Sequence, residues 1–262
     1  MRRAARSLDP ERTLFVVTRA HERYYSDELA DVRPRQVLIQ PDNKGTAPAI
    51  LLSLLHLRSL DPGASVVFLP SDHHYADEYG FLAAVHRAFE VAEERARRPI
   101  LLGASPTHPE TGYGWIEPGP LVETAARTRL FRVMRFWEKP SPPAARMLLN
   151  LGCLWNTFVM VGRVSAFLDM LQTANPHLYD KFERHETTPG HFDSERLYET
   201  LDPVDFSRDV LARSPAELAV MNTGPVGWSD LGEPERVISL VSRLELKCDW
   251  LDNWRRSPSH AS

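Results

Sequence analysis

SVVFLPSDHHYAD, residues 65–77, runs from an apolar, β-branched stretch ending near Phe68 into Ser71, Asp72, His73 and His74. Val66, Val67 and Phe68 have the composition of a strand buried on both faces. A carboxylate just past the end of such a strand either caps the next helix or holds a hard cation at the open end of a sheet. The stretches on either side decide what kind of sheet this is.

Upstream, TLFVVT (13–18) and QVLIQ (36–40) are β-rich, and ILLSLLHL places Ile50, Leu51, Leu54 and Leu55 at helical spacing. Thr46 is the expected N-cap of that helix, with Pro48 in its first turn. Downstream, Phe81, Val85 and Phe89 form an amphipathic stripe before the strand PILLGA (99–104). Strand, helix and strand joined by short connections imply a parallel sheet with helices on both faces. A ligand then sits outside the carboxyl ends of the strands, where the SDHH segment lies.

The pattern loosens at THPETGYGWIEPGP (107–120), which is rich in Gly and Pro. It resumes with RLFRVMRFWEK as a longer strand, SPPAARMLLNLG as a helix capped at Ser141, and LWNTFVMVG (154–162) as a strand. Residues 165–213 read as mostly helical, with Asn175-Pro176 and Thr188-Pro189-Gly190 as breaks. ELAVMN is a last strand before a loop and a helix. The expected organisation is one α/β domain over 1–242 and a polar tail over 243–262.

With 262 residues, 43% apolar composition and a formal charge of −4, the chain can build a sizeable core and gives no reason to expect nucleic-acid or membrane binding. Cys153 and Cys248 lie far apart and form no CxxC pair, so neither a zinc knuckle nor a disulfide framework is signalled, and a cytoplasmic setting is expected. Basic residues open the chain, but no apolar signal core follows them.

Four stretches combine turn residues with polar groups beside an apolar element. QPDNKGTAPAI (40–50) is a turn into a helix N-terminus, able to meet an anion or a base edge, or simply a capped start. In FLPSDHH (68–74), Asp72 is a candidate magnesium ligand; Asp230 in VGWSDLG (226–232) is the second carboxylate such a site uses, with helix capping as the competing role for each. His73 and His74 suggest an Asp-His-His phosphoesterase, but the aspartate motifs that class needs upstream are missing; structural or solvated histidines are the expectation. PETGYGWIEPG (109–119), with Glu138, Lys139 and Asn156, offers close backbone approach, an acceptor and a cation for a sugar phosphate, or else a tight hairpin with a surface ion pair.

In this order, P-x-N-x-G-T-A-P-A (41–49), L-P-S-D-H (69–73), P-E-T-G-Y-G-W-I (109–116), E-K-P (138–140), L-W-N (154–156) and W-S-D-L-G (228–232) resemble the sugar-1-phosphate nucleotidylyltransferases, closest to the mannose-1-phosphate guanylyltransferases. The resemblance implies a Rossmann-like doubly wound mixed sheet of the nucleotide-diphospho-sugar transferase type. It implies transfer of GMP from GTP to mannose 1-phosphate, giving GDP-mannose and pyrophosphate. On that pattern Asp72 and Asp230 bind Mg2+ and Lys139 meets the sugar phosphate. Thr46, Ala47, Pro48 and Ser71 border the nucleotide, and Gly112, Glu138 and Asn156 face the sugar. Oligomeric state is left open, a homo-oligomer included.

The chain departs from this pattern at two places. A glycine-rich G-G-x-G-x-R-L loop and a following Pro-Lys pair belong to the family and have no counterpart here; TLFVVT matches the family's second strand, so the sheet is expected to lack its first. This 262-residue form is accordingly expected to make negligible GDP-mannose. A non-catalytic remnant binding a sugar phosphate or nucleotide, or an enzyme for another sugar or base, are the alternatives. Asn156-Thr157-Phe158 also stands where the family has Asn-Ser-Gly.

Overall fold

Leu101 and its neighbours Ile100 and Leu102 point into two different cores, and this alternation organises the molecule. The computed structural model describes residues 9–94, 97–122, 128–248 and 250–251. On one side of the sheet Leu101 packs with Val220, Met160, Val133 and Phe136; on the other, Ile100 and Leu102 pack with Ala219, Met221, Val159 and Val161. Period-two alternation in adjacent strands thus makes a three-layer α/β/α arrangement.

The first half runs β1 (Phe15–Thr18), the one-turn helix α1 (Glu22–Tyr25), β2 (Val37–Gln40), α2 (Thr46–Leu60), β3 (Ser65–Phe68), β4 (His73–Tyr75), α3 (Glu78–Glu94) and β5 (Ile100–Ala104). It is followed by β6 (Gly114–Val122), β7 (Leu130–Glu138), α4 (Pro142–Asn150), β8 (Leu154–Arg163), α5 (Val164–Ala174) and α6 (Pro176–His185). The chain continues with β9 (Glu186–Thr188), β10 (His191–Phe192), α7 (Ser194–Thr200), α8 (Phe206–Asp209), β11 (Ala219–Asn222), β12 (Trp228–Asp230) and α9 (Pro234–Arg243). Most of the tail expected at 243–262 lies outside the described residues.

Six strands form the main sheet in the order β3-β8-β5-β11-β7-β6. Only β5 and β11 run parallel; β8 and β7 are antiparallel to their neighbours, so the sheet is mixed rather than wholly parallel. β1 and β2 pair in parallel as a separate ribbon, with Phe15 opposite Val37. Among the described residues no strand joins β1 to β3. All four residues of β3 and three of the four in β1 are only half-buried, whereas every residue of β5 is buried.

α2 is buried along most of its first three turns, from Ala47 to Leu55, because it lies against α5 and the sheet. Leu51, Leu54 and Leu55 are 0–1% exposed, each burial contributing roughly 2 kcal/mol. The expected cap is corrected: Gly45 is the N-cap and Thr46 is the first helical residue. On the opposite face α3 covers β8, β3 and β5 with Phe81, Val85, Ala88 and Val91.

The Gly- and Pro-rich stretch after residue 105 is partly a strand rather than a loop. β6 carries Pro118, Gly119 and Pro120, and its register with β7 shifts there. β6 ends the strand order, and proline is tolerated at edges and bulges. Thr188-Pro189-Gly190, expected as a break, turns the small β9–β10 hairpin.

Candidate active site

Asp72 and Asp230 are brought together by a ribbon too short to announce itself in sequence. β4 and β12 pair antiparallel, setting His73 opposite Asp230 and Tyr75 opposite Trp228, and the Leu231 N–H donates to the Asp72 carbonyl at 2.7 Å. Both carboxylates turn toward Gly232. A Cβ built there would lie 3.7 Å from Asp72 Oδ2 and 3.9 Å from Asp230 Oδ1. Two carboxylates converging on one small space fit magnesium, which takes one or two carboxylates and completes its shell with water and phosphate oxygens. No group of three or more His, Cys, Asp or Glu able to hold an ion occurs among the described residues, so substrate and water would supply the remaining ligands.

His73 belongs to the frame of this site. Its side chain is 8% exposed, its ring meets Trp228 edge-on at 5.4 Å, and its Nε2 lies 3.9 Å from Asp72 Oδ1.

Glu138 and Asn156 flank Gly114, where a Cβ would come within 3.0 Å of Glu138 Oε2 and 3.3 Å of Asn156 Cβ. The two candidate sugar contacts thus share one wall. Burial pushes the Glu138 carboxyl above its ordinary value and Asp205 adds to this, outweighing Lys139 and Arg208. Lys139, next in sequence, has φ of 46°, an uncommon conformation for a side-chain-bearing residue. Asn156 Oδ1 accepts from the Phe158 N–H at 3.1 Å, across a bulge where β8 slips against β5. Phe158, at the position where the family pattern has Gly, has φ of 56°, a left-handed backbone.

Gly112, also expected to face the sugar, lies against another group: a Cβ there would collide with Arg236 Nη2 at 2.5 Å. On the nucleotide side, the fold uses two polar groups expected to meet a base. Ala47 N–H donates to Val204 O at 3.1 Å, and Thr46 Oγ1 accepts from Phe206 N–H at 2.8 Å. Pro48 is buried in the same turn, while Ser71 is exposed beside Asp72.

Four residues at these sites escape sequence reasoning: Arg236, which donates to Asp230 Oδ1; Glu110 and Tyr113, which contact Arg236; and Asp205, which perturbs Glu138. Glu110 and Tyr113 do stand within a singled-out motif. Arg236 and Asp205 carry no local signal.

A family model described as nucleotidyl transferase matches residues 3–245. Mannose-1-phosphate guanylyltransferase 2 of Escherichia coli O157:H7 is 26% identical over 262 residues, covering 92% of this chain and 52% of that protein. The xanthan biosynthesis protein XanB of Xanthomonas campestris pv. campestris is 32% identical over 213 residues, 77% of this chain and 42% of that protein. A crystal structure from Thermus thermophilus, described as mannose-1-phosphate geranyltransferase, superposes with a TM-score of 0.78 at 26% identity over 94% of this chain and 68% of that one. The chain spans about half the length of the curated relatives it matches. With the ordered motifs, the mixed sheet and the paired carboxylates, these matches lead to one conclusion: the chain belongs to the nucleotidyl transferase family, close to the mannose-1-phosphate guanylyltransferases.

Proposed function

We propose that the site transfers GMP from GTP to mannose 1-phosphate, forming GDP-mannose and pyrophosphate. The observation that carries this reading is the convergence of Asp72 and Asp230 at Gly232, brought about by the β4–β12 ribbon. Names of relatives supply the sugar and the base.

In this reading Asp72 and Asp230 hold Mg2+, which when bound supplies positive charge to phosphate oxygens. Lys139 neutralises the sugar phosphate and positions its oxygen for in-line attack on the α-phosphorus of the nucleotide. Glu138 accepts from sugar hydroxyls and Asn156 fixes their orientation, while Gly112 shapes the adjoining loop. Thr46, Ala47, Pro48 and Ser71 border the nucleotide through shape more than through unpaired donors. The chain's residues thus act by positioning and by charge, with no covalent nucleophile.

Calorimetric titration with GDP-mannose tests the reading. Saturable binding that needs Mg2+ and weakens strongly in Asp72→Asn supports it; binding indifferent to both would overturn it. A binding-only module is the second reading, favoured by the half-buried β1 and β3, which no strand joins among the described residues. Turnover separates the two: GDP-mannose formed from GTP and mannose 1-phosphate by this chain supports the enzyme, and binding without product supports the module.

A further inference from the structure

Arg236 stands on the first turn of α9, and its guanidinium is held from three directions. Nη1 donates to Asp230 Oδ1, Nη2 lies 3.9 Å from Glu110 Oε1, and the guanidinium carbon sits 4.3 Å from the centre of the Tyr113 ring. The space is shaped for it, since Gly112 provides the room that a Cβ would take. Arg236 is 19% exposed, so solvent screens these contacts less than at an open surface.

We propose that Arg236 is the site's internal counter-cation, neutralising Asp230 until a divalent cation displaces it onto Glu110 and the Tyr113 face. The inference rests on the metal role given above to Asp72 and Asp230. Asp230 Oδ1, the oxygen that Arg236 engages, is also the one turned toward Gly232, the position that Asp72 Oδ2 approaches from the β4 side. A guanidinium and a divalent cation cannot both approach that oxygen closely without strong repulsion.

The displaced group has somewhere to go. Glu110 accepts from the Gly112 N–H at 2.7 Å and is held below the ordinary carboxylate range: burial raises it, but Gly112, His108 and Arg236 together outweigh that. It therefore stays ionised and in place as a second acceptor. The Tyr113 ring gives the cation a face that is kept in either position. Metal loading would thereby tie α9 to the 110–113 loop, whose next residue, Gly114, separates Glu138 from Asn156.

The test is Mn2+ titration followed by electron paramagnetic resonance, with no substrate present. Arg236→Gln should bind Mn2+ tighter than the wild-type chain by about tenfold, because one positive charge beside the ion is gone. Arg236→Lys keeps the charge, should bind near the wild-type level, and serves as the second variant if Arg236→Gln folds poorly. Glu110→Gln, by removing the landing acceptor, should weaken Mn2+ binding in the wild-type background and leave it unchanged in Arg236→Gln. Equal or weaker binding by Arg236→Gln, or an undiminished Glu110→Gln effect in that background, overturns the displacement while leaving the metal site standing. No Mn2+ binding by any form removes the metal reading itself, and this inference with it.

Discussion

The indole N–H of Trp228 donates to Nδ1 of His73 at 3.2 Å. An accepting Nδ1 carries no proton, so the neutral ring has its hydrogen on Nε2, which lies 3.9 Å from Asp72 Oδ1. The imidazole after Asp72 thus links one candidate metal ligand to the strand that bears the other. Trp228→Phe removes the indole donor together with part of the aromatic surface that packs on His73, Tyr113 and Trp155. It should cost about 1 kcal/mol or more in stability and weaken Mg2+-dependent GDP-mannose binding, as read by thermal melting and calorimetry.

His74 should separate from the two aspartates by function. Asp72→Asn and Asp230→Asn each remove a candidate ligand charge and should reduce Mg2+-dependent binding by about tenfold or more. His74→Ala should change it by less than about twofold, since metal ligation is assigned to the carboxylates. Calorimetry on the three variants checks the ranking, and the opposite order would count against the metal assignment.

Phe158 gives a test that needs no ligand. Its backbone is left-handed, and its ring packs edge-on against Phe206 at 6.1 Å. Truncation to either Ala or Gly loses the ring, but only Gly is relaxed at this φ. Phe158→Gly should therefore be more stable than Phe158→Ala by about 1 kcal/mol, the reverse of the usual order inside a strand. Urea melts of the two variants measure the difference.

Much of the fold is legible in the sequence because alternation and helical spacing report burial directly. β5, β7 and β8 fall where the apolar runs place them, and α2 and α3 cover opposite faces as their stripes require. β6 is obscured by Pro118 and Pro120, whose cost depends on an edge position that no local pattern reveals. β4 and β12 have three residues each and exist through each other. Asp72 and Asp230 are readable because they sit in ordered motifs. Arg236 looks like an ordinary surface charge on a helix until the fold brings Asp230, Glu110 and Tyr113 around it.

Glu138 predicts a pH dependence. Its carboxyl is raised above the ordinary 4.5, first by burial and then by Asp205, so the folded state holds this proton more tightly than the unfolded chain. The resulting stabilisation is fully present below the unfolded value and is lost as pH rises through the higher folded one. Glu138→Gln lacks that dependence and should gain in melting temperature relative to the wild-type chain as pH increases from about 4 to 7. A constant difference across that range would contradict the assigned environment.

The central claim is that Asp72 and Asp230 share one cation. Anomalous diffraction from crystals soaked in Mn2+ and GDP-mannose measures this directly. The account predicts a single peak within about 2.5 Å of an oxygen from each aspartate, in contact with the ligand's phosphates. A peak bound to only one of them, or lying elsewhere, would contradict it.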